Sequence, residues 1–132
     1  MRRQNDLALT RAEEEIMQIL WKIELGFIKD ILDRFPDPKP AYNTVSTIVR
    51  ILETKGFIDH KAYGKTHEYF PLVQKDEYTK AFLGNFLHNH FNNSFRSMVS
   101  FFAKSEEMDV KELEETLKMM QQEVEKHKKK KS

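Results

Sequence analysis

The chain has no cysteine among its 132 residues. That excludes disulfides and thiolate metal sites, and it fits a cytoplasmic location. Glycine is scarce, at four residues, and none lies in a loop that could cradle phosphate. No nucleophile elbow and no metal triad is visible, so no enzymatic activity is expected. No apolar run is long enough to span a bilayer. The polar start, Met1-Arg2-Arg3-Gln4-Asn5-Asp6, is not a signal peptide. There is no internal repeat. There is also no strong charge of either sign: the net charge is +1, which by itself does not advertise nucleic acid.

What remains is a charged, soluble composition with a mean hydropathy of −0.67. The length suits one modest domain with an appended element. Charge is balanced in both halves, but it is locally biased. Between Lys39 and Lys65 five basic residues (Lys39, Arg50, Lys55, Lys61 and Lys65) face two acidic ones, Glu53 and Asp59.

Hydrophobic spacing organises the first half. Thr10 and Glu13 have capping-box spacing at the start of a helix. Ile16, Ile19, Leu20 and Ile23 follow at helical intervals, with Trp21 at the edge of a core. Glu13-Glu14-Glu15 and Glu114-Glu115 read as solvated helix faces. A short helix is predicted from Ile28 to Phe35, stopped by Pro36-Asp37-Pro38-Lys39-Pro40. A third runs from Tyr42 to Lys55. Val45, Ile48, Val49 and Leu52 fall on one side of it, and Asn43, Ser46, Thr47, Arg50 and Thr54 on the other. Gly56 sits where a C-terminal cap glycine belongs. Two strands, Phe57 to Lys61 and Thr66 to Phe70, flank a glycine-containing turn.

Helix, helix, polar-faced helix and hairpin make a winged helix-turn-helix. The predicted fold is therefore mainly α with a small β-hairpin wing, followed by helices. This layout presents its third helix to the DNA major groove. The expected DNA contacts are Asn43, Thr44, Ser46, Thr47 and Arg50 toward base edges. The backbone near Ala41 and Tyr42 suits phosphate. Lys61, Lys65 and the turn residue Tyr63 would contact DNA from the hairpin.

The second half repeats apolar residues on helices. Leu83, Phe86, Leu87 and Phe91 form one stripe together with His90. Phe95, Met98, Val99 and Phe102 form another after a break at Asn92-Asn93-Ser94. Val110, Leu113, Leu117, Met120 and Val124 alternate steps of three and four, a heptad seam. These stripes are expected to pair two copies of the chain, since a helix-turn-helix covers one half-site and a palindrome needs two. The expected division is residues 1–72 for DNA, 73–127 for dimerisation, and a disordered basic tail at 128–132.

The segment from Leu9 to Trp21, the run from Asn43 to Ile58, the hairpin from His60 to Tyr69 and Phe95-Arg96-Ser97-Met98-Val99 together resemble the BlaI/MecI penicillinase-repressor family. The resemblance implies a homodimeric repressor on a palindromic operator. It also implies release of repression by cutting in the C-terminal half, triggered by a membrane-bound sensor metalloprotease. The matching bond lies near Phe101 and Phe102, where the family often carries Asn-Phe. Arg50-Ile51 departs from a frequent Arg-Arg.

Two other readings are a winged helix that binds only protein, and a metal-responsive repressor. Copper-responsive relatives use tail cysteines, which are absent. His88 and His90 point to different sides of a helix. His60 and His67 can approach across the hairpin, but two ligands make a poor site. No metal and no cofactor is expected.

Overall fold

The computed structural model describes residues 8–105 and 107–131, without the side chain of Lys131. Residues 1–6, read as a polar start, and Ser132 lie outside the described residues. The chain forms α1 (Arg11–Ile23), α2 (Ile28–Asp33), α3 (Tyr42–Thr54), β1 (Ile58–Tyr63), β2 (Thr66–Pro71), α4 (Lys75–Phe91), α5 (Phe95–Lys104) and α6 (Val110–Lys131). Two compact units result, residues 1–85 and 86–132, and the division falls within α4. No described helix is long and apolar enough to cross a membrane.

Local chemistry sets the helix ends of the first unit. The Thr10 hydroxyl accepts from Glu13 N–H at 3.2 Å, and the Glu13 carboxylate accepts from Thr10 N–H at 2.9 Å. This is the capping box expected from the sequence. The Asp30 carboxylate likewise accepts from Phe27 N–H at the start of α2. That helix stops at Asp33, two residues short of the expected Phe35: the chain tightens there, with Arg34 N–H reaching Ile31 and Phe35 N–H reaching Leu32 ahead of Pro36, and the ammonium of Lys39 satisfies the free carbonyls of Asp33 and Phe35. At the end of α3, Gly56 (φ 83°) lets its own N–H reach the Glu53 carbonyl while Phe57 N–H reaches Leu52. That double closure needs a left-handed residue, which favours glycine.

The strands form an antiparallel pair in which Ile58 faces Pro71 and Tyr63 faces Thr66. The hairpin is longer than expected, since β1 continues to Tyr63. Gly64, with φ +62°, takes the first central position of a two-residue turn and carries the reversal without strain. Gly26 adds a bridge to the outer edge, exchanging both backbone hydrogen bonds with Tyr69. A Cβ at Gly26 would meet the terminal methyl of Ile23 at 2.7 Å and the Asp30 Cβ at 3.2 Å, so glycine lets α2 and the end of α1 pack close to this edge.

The core lies among these elements. Ile16, Met17 and Leu20 of α1, Ile31 of α2, and Val45, Val49 and Leu52 of α3 are fully or almost fully buried, as are Phe57, Ile58 and Val73. Trp21 sits at the edge, as expected, and its indole N–H donates to the Val73 carbonyl at 2.9 Å. Tyr78 of α4 is also buried, its ring 5.5 Å from that of Trp21 and 6.3 Å from that of Phe57. The first core therefore draws on Val73 and Tyr78, beyond residue 72.

One sequence reading needs correction. Glu13 and Glu14 are not simply solvated. Glu13 is buried and forms a 2.8 Å ion pair with Lys55, and Glu14 accepts from the Tyr78 hydroxyl at 2.9 Å. Capping geometry draws Glu13 inward, where it meets the end of α3. Glu15 is the solvated member of the run, and Glu114 and Glu115 are exposed as expected.

The second unit is built differently. Asn92 and Asn93 take positive φ values of 49° and 66° between α4 and α5. Asn tolerates that region better than most residues. Ser94 then caps α5, accepting from Ser97 N–H. The Asp109 carboxylate accepts from Glu112 N–H and caps α6. That helix continues to Lys131, through residues expected as a disordered tail. No residue of α5 is buried.

Candidate nucleic-acid interface

The site is built on α3. Val45, Val49 and Leu52 anchor its inner side. That anchoring turns Asn43, Thr44, Thr47, Arg50 and Thr54 to solvent, with Ser46 half-buried beside them. Ile48 is also half-buried, at the margin of the core. No acid interrupts this stripe. Ala41 precedes the helix in extended backbone, and its side chain makes no cap, so the first-turn N–H groups of α3 stay open to an anion.

Individual side chains are more constrained than their types suggest. The Thr47 hydroxyl donates to the Asn43 carbonyl at 2.9 Å, and the Thr54 hydroxyl donates to the Arg50 carbonyl at 3.0 Å. Their oxygens remain acceptors, and Thr47 still presents a methyl group. The five local cations also divide. Lys39 is held on the carbonyls of Asp33 and Phe35, and Lys55 on Glu13. Arg50, Lys61 and Lys65 are exposed. The basic face is thus narrower than a charge count implies.

The hairpin stands beside α3. A cleft of about 470 Å³ separates them, lined by Phe27, Lys29, Tyr42, Ser46, Lys65 and Tyr69 among others. Tyr63 is half-exposed at the turn. Its ring lies 6.0 Å from that of Phe27, and the ammonium of Lys61 sits 5.6 Å from its centre. The turn is therefore braced against the start of α2. Burial first, and then the charge of Glu53, raise the Tyr69 hydroxyl above its ordinary value, partly offset by Arg50. Tyr69 stays protonated beside Arg50.

Sequence reasoning missed one cluster. Glu53, at the far end of α3, hydrogen-bonds the Nδ1 of His60 on β1. Asp59 lies 4.0 Å from the same nitrogen. The expected approach of His60 and His67 does occur, with ring centres 3.9 Å apart and planes 6° from parallel. Glu53 was legible only as a residue off the polar stripe.

The expected dimerisation residues lie on α4, α5 and α6. Leu83, Phe95, Phe102, Val110, Leu117, Met120 and Val124 are exposed, and Phe86, Leu87, Phe91, Met98, Val99 and Leu113 are half-buried. None is buried. Phe101 and Phe102 fall inside α5, with Phe101 62% exposed.

Three helices with a two-stranded wing, the third helix exposing a polar side free of acid, define a winged helix-turn-helix protein. The chain belongs to the penicillinase repressor family, whose model matches residues 9–122. The methicillin resistance regulatory protein MecI of Staphylococcus aureus (strain N315) is 29% identical over 108 residues, covering 81% of this chain and 88% of that protein. The penicillinase repressor of Bacillus licheniformis is 24% identical over 115 residues, covering 86% and 90%. The solution structure of the DNA binding domain of the repressor BlaI is similar over 58% of this chain and 93% of that domain, with a TM-score of 0.49 and 20% identity.

Proposed function

We propose that this chain is a DNA-binding transcriptional repressor that acts as a homodimer on a palindromic operator. The observation that carries the reading is the outward stripe of α3, in which Asn43, Thr44, Thr47 and Arg50 are exposed with no acid among them. Arg50 is the group suited to bidentate contact with guanine, and Asn43 is suited to adenine. Lys61 and Lys65 on the wing supply phosphate contacts, which fix register without reading sequence.

The homodimer is supported by the apolar side chains left uncovered on α4, α5 and α6. A second copy is the partner that a palindrome requires. Release of repression by cutting between Phe101 and Phe102, under a sensor metalloprotease, belongs to the same reading. A cut there would part α6 from the winged unit. Because the bond lies within α5, that helix must open locally before a protease can act.

The test is selection of genomic fragments by the full chain at ~150 mM salt. Specific sites are expected to bind roughly 10³-fold or more above bulk DNA, and to share a palindrome. Arg50→Ala should weaken binding to the recovered site by roughly 5- to 150-fold and relax preference at one base pair per half-site. Random recovery by folded protein would reject the repressor reading and favour a protein-binding winged helix.

A further inference from the structure

Glu53, Asp59 and His60 offer three metal-ligating atoms that all lie within 4.8 Å of one another. They come from two elements. Glu53 belongs to the last turn of α3, while Asp59 and His60 are neighbours on β1. The focus is His60 Nδ1, which hydrogen-bonds a Glu53 oxygen and has an Asp59 oxygen 4.0 Å away. Glu53 and His60 are each 28% exposed, and Asp59 is 56% exposed. The group is therefore shielded yet open to solvent on one side.

The spacing suits a small ion. Tetrahedral zinc with arms of about 2.0–2.2 Å holds its ligand atoms roughly 3.3 Å apart. Measured to His60 Nδ1, the Asp59 oxygen, which also accepts from His60 N–H at 2.8 Å, lies within an ångström of that spacing, and the Glu53 carboxylate has to turn away from Nδ1 to admit the ion. The fourth position would go to water. The stacked ring of His67 lies parallel to that of His60. His67 is not among the residues whose ligand atoms gather within 4.8 Å, and its contact with the group is the stacked ring, so its part is to brace the ligand ring of His60.

The donor set selects the ion. One imidazole and two carboxylates suit a borderline divalent transition metal. Calcium and magnesium ask for six or more oxygens, and copper(I) asks for sulfur. We propose that Glu53, Asp59 and His60 bind a zinc-type divalent ion that ties the end of α3 to β1. The ion would replace a concentration of negative charge with a neutral cross-link between the helix and wing described above. Only the consequence for DNA rests on the repressor reading; the binding itself does not.

The experiment is calorimetric titration of the metal-free full chain with zinc chloride, with cobalt(II) absorption reporting the ligand set. One saturable ion per chain is expected, with a low-coordinate cobalt spectrum. Asp59→Asn and Glu53→Gln should each weaken binding by roughly tenfold or more, while circular dichroism shows both still folded. His67→Phe, which keeps a stacked ring, should bind as the parent does. Hydrogen exchange of β1 amides should slow with zinc in the parent and not in Glu53→Gln. Absent binding, or binding unaffected by Asp59→Asn and Glu53→Gln, overturns the site. Binding without slowed exchange overturns the cross-link. None of these readouts involves DNA, so their failure leaves the repressor reading to its own test.

Discussion

The two units of this chain solve the problem of apolar surface in opposite ways. The winged unit closes on itself: Ile16, Met17, Leu20, Ile31, Val49, Leu52, Phe57 and Val73 are completely shielded from solvent. The second unit offers the same kinds of side chain on α5 and α6 and buries none of them. Phe95 is 55% exposed, Leu117 58% and Val124 50%. Within one chain, full apolar burial holds the first unit together, whereas the second has capping, intrahelical hydrogen bonds and only partial apolar cover, such as the contact of the Phe91 and Phe101 rings at 5.9 Å. Isolated helices of this kind are marginal in water. The contrast separates a part that folds by itself from a part whose apolar stripe calls for a partner.

The largest expected effect tests that contrast directly. Phe57→Ala should lower the stability of the winged unit by about 3–5 kcal/mol, since it removes a fully buried ring from a packed core. The loss should not depend on protein concentration. Leu117→Ala removes a side chain of similar type from α6. It should leave the winged unit unchanged and lower the melting temperature only where dimers form, so its effect should vanish on dilution. Denaturation of both variants across a wide concentration range checks this. A concentration-independent loss of several kcal/mol from Leu117→Ala would mean that α6 is covered within a single chain.

The same contrast explains what the sequence could and could not reveal. Helix periodicity, the Thr10 capping box and the Gly56 cap depend on neighbours a few residues apart, and all were readable. The outer stripe of α3 was readable because its inner side is fixed by Val45, Val49 and Leu52. Glu13 was not readable, because its partner Lys55 lies 42 residues away and a run of three glutamates looks solvated. The Glu53–Asp59–His60 cluster was hidden for a similar reason. It forms only when the hairpin folds beside the end of α3, and neither element carries a ligand motif alone. The end of β1 was missed because a two-residue turn with glycine first lets pairing extend further than strand propensity suggests.

A smaller effect comes from the pair that joins α1 to α3. Burial pushes the Glu13 carboxyl up, but the hydrogen bond and charge of Lys55 and the bond from Thr10 outweigh it and leave it below its ordinary value. A carboxyl depressed in the fold stabilises above its unfolded value and loses that contribution as pH falls through the folded value. The winged unit should therefore lose stability below about pH 4.5, the ordinary value. Lys55→Met leaves the buried carboxylate without its cation. Lys55 is itself 37% exposed, so the cost should be about 1–2 kcal/mol at neutral pH, below the range for a fully buried pair. In this variant the acid-side slope should flatten. Urea titrations at several pH values measure both.

The smallest effect lies at the opposite end of the pH scale, where α4 packs on the winged core. Burial, followed by the hydrogen bond to Glu14 and that residue's charge, pushes the Tyr78 hydroxyl up to about 12 from an ordinary 10.0. The folded chain thus holds this proton after the unfolded chain has released it. A group raised in the fold contributes fully below its unfolded value and loses the contribution as pH rises through the folded one. Stability should therefore fall between about pH 10 and 12, and Tyr69, raised in the same direction, adds to the slope. Tyr78→Phe keeps the ring against Trp21 and Phe57 but removes the hydroxyl. It should cost roughly 1 kcal/mol at neutral pH, the usual net worth of one hydrogen bond. It should also abolish the last phenolate step in an ultraviolet titration and reduce the alkaline slope. An unchanged last step would show that Glu14 does not hold the Tyr78 hydroxyl, and that α4 joins the winged core through its rings alone.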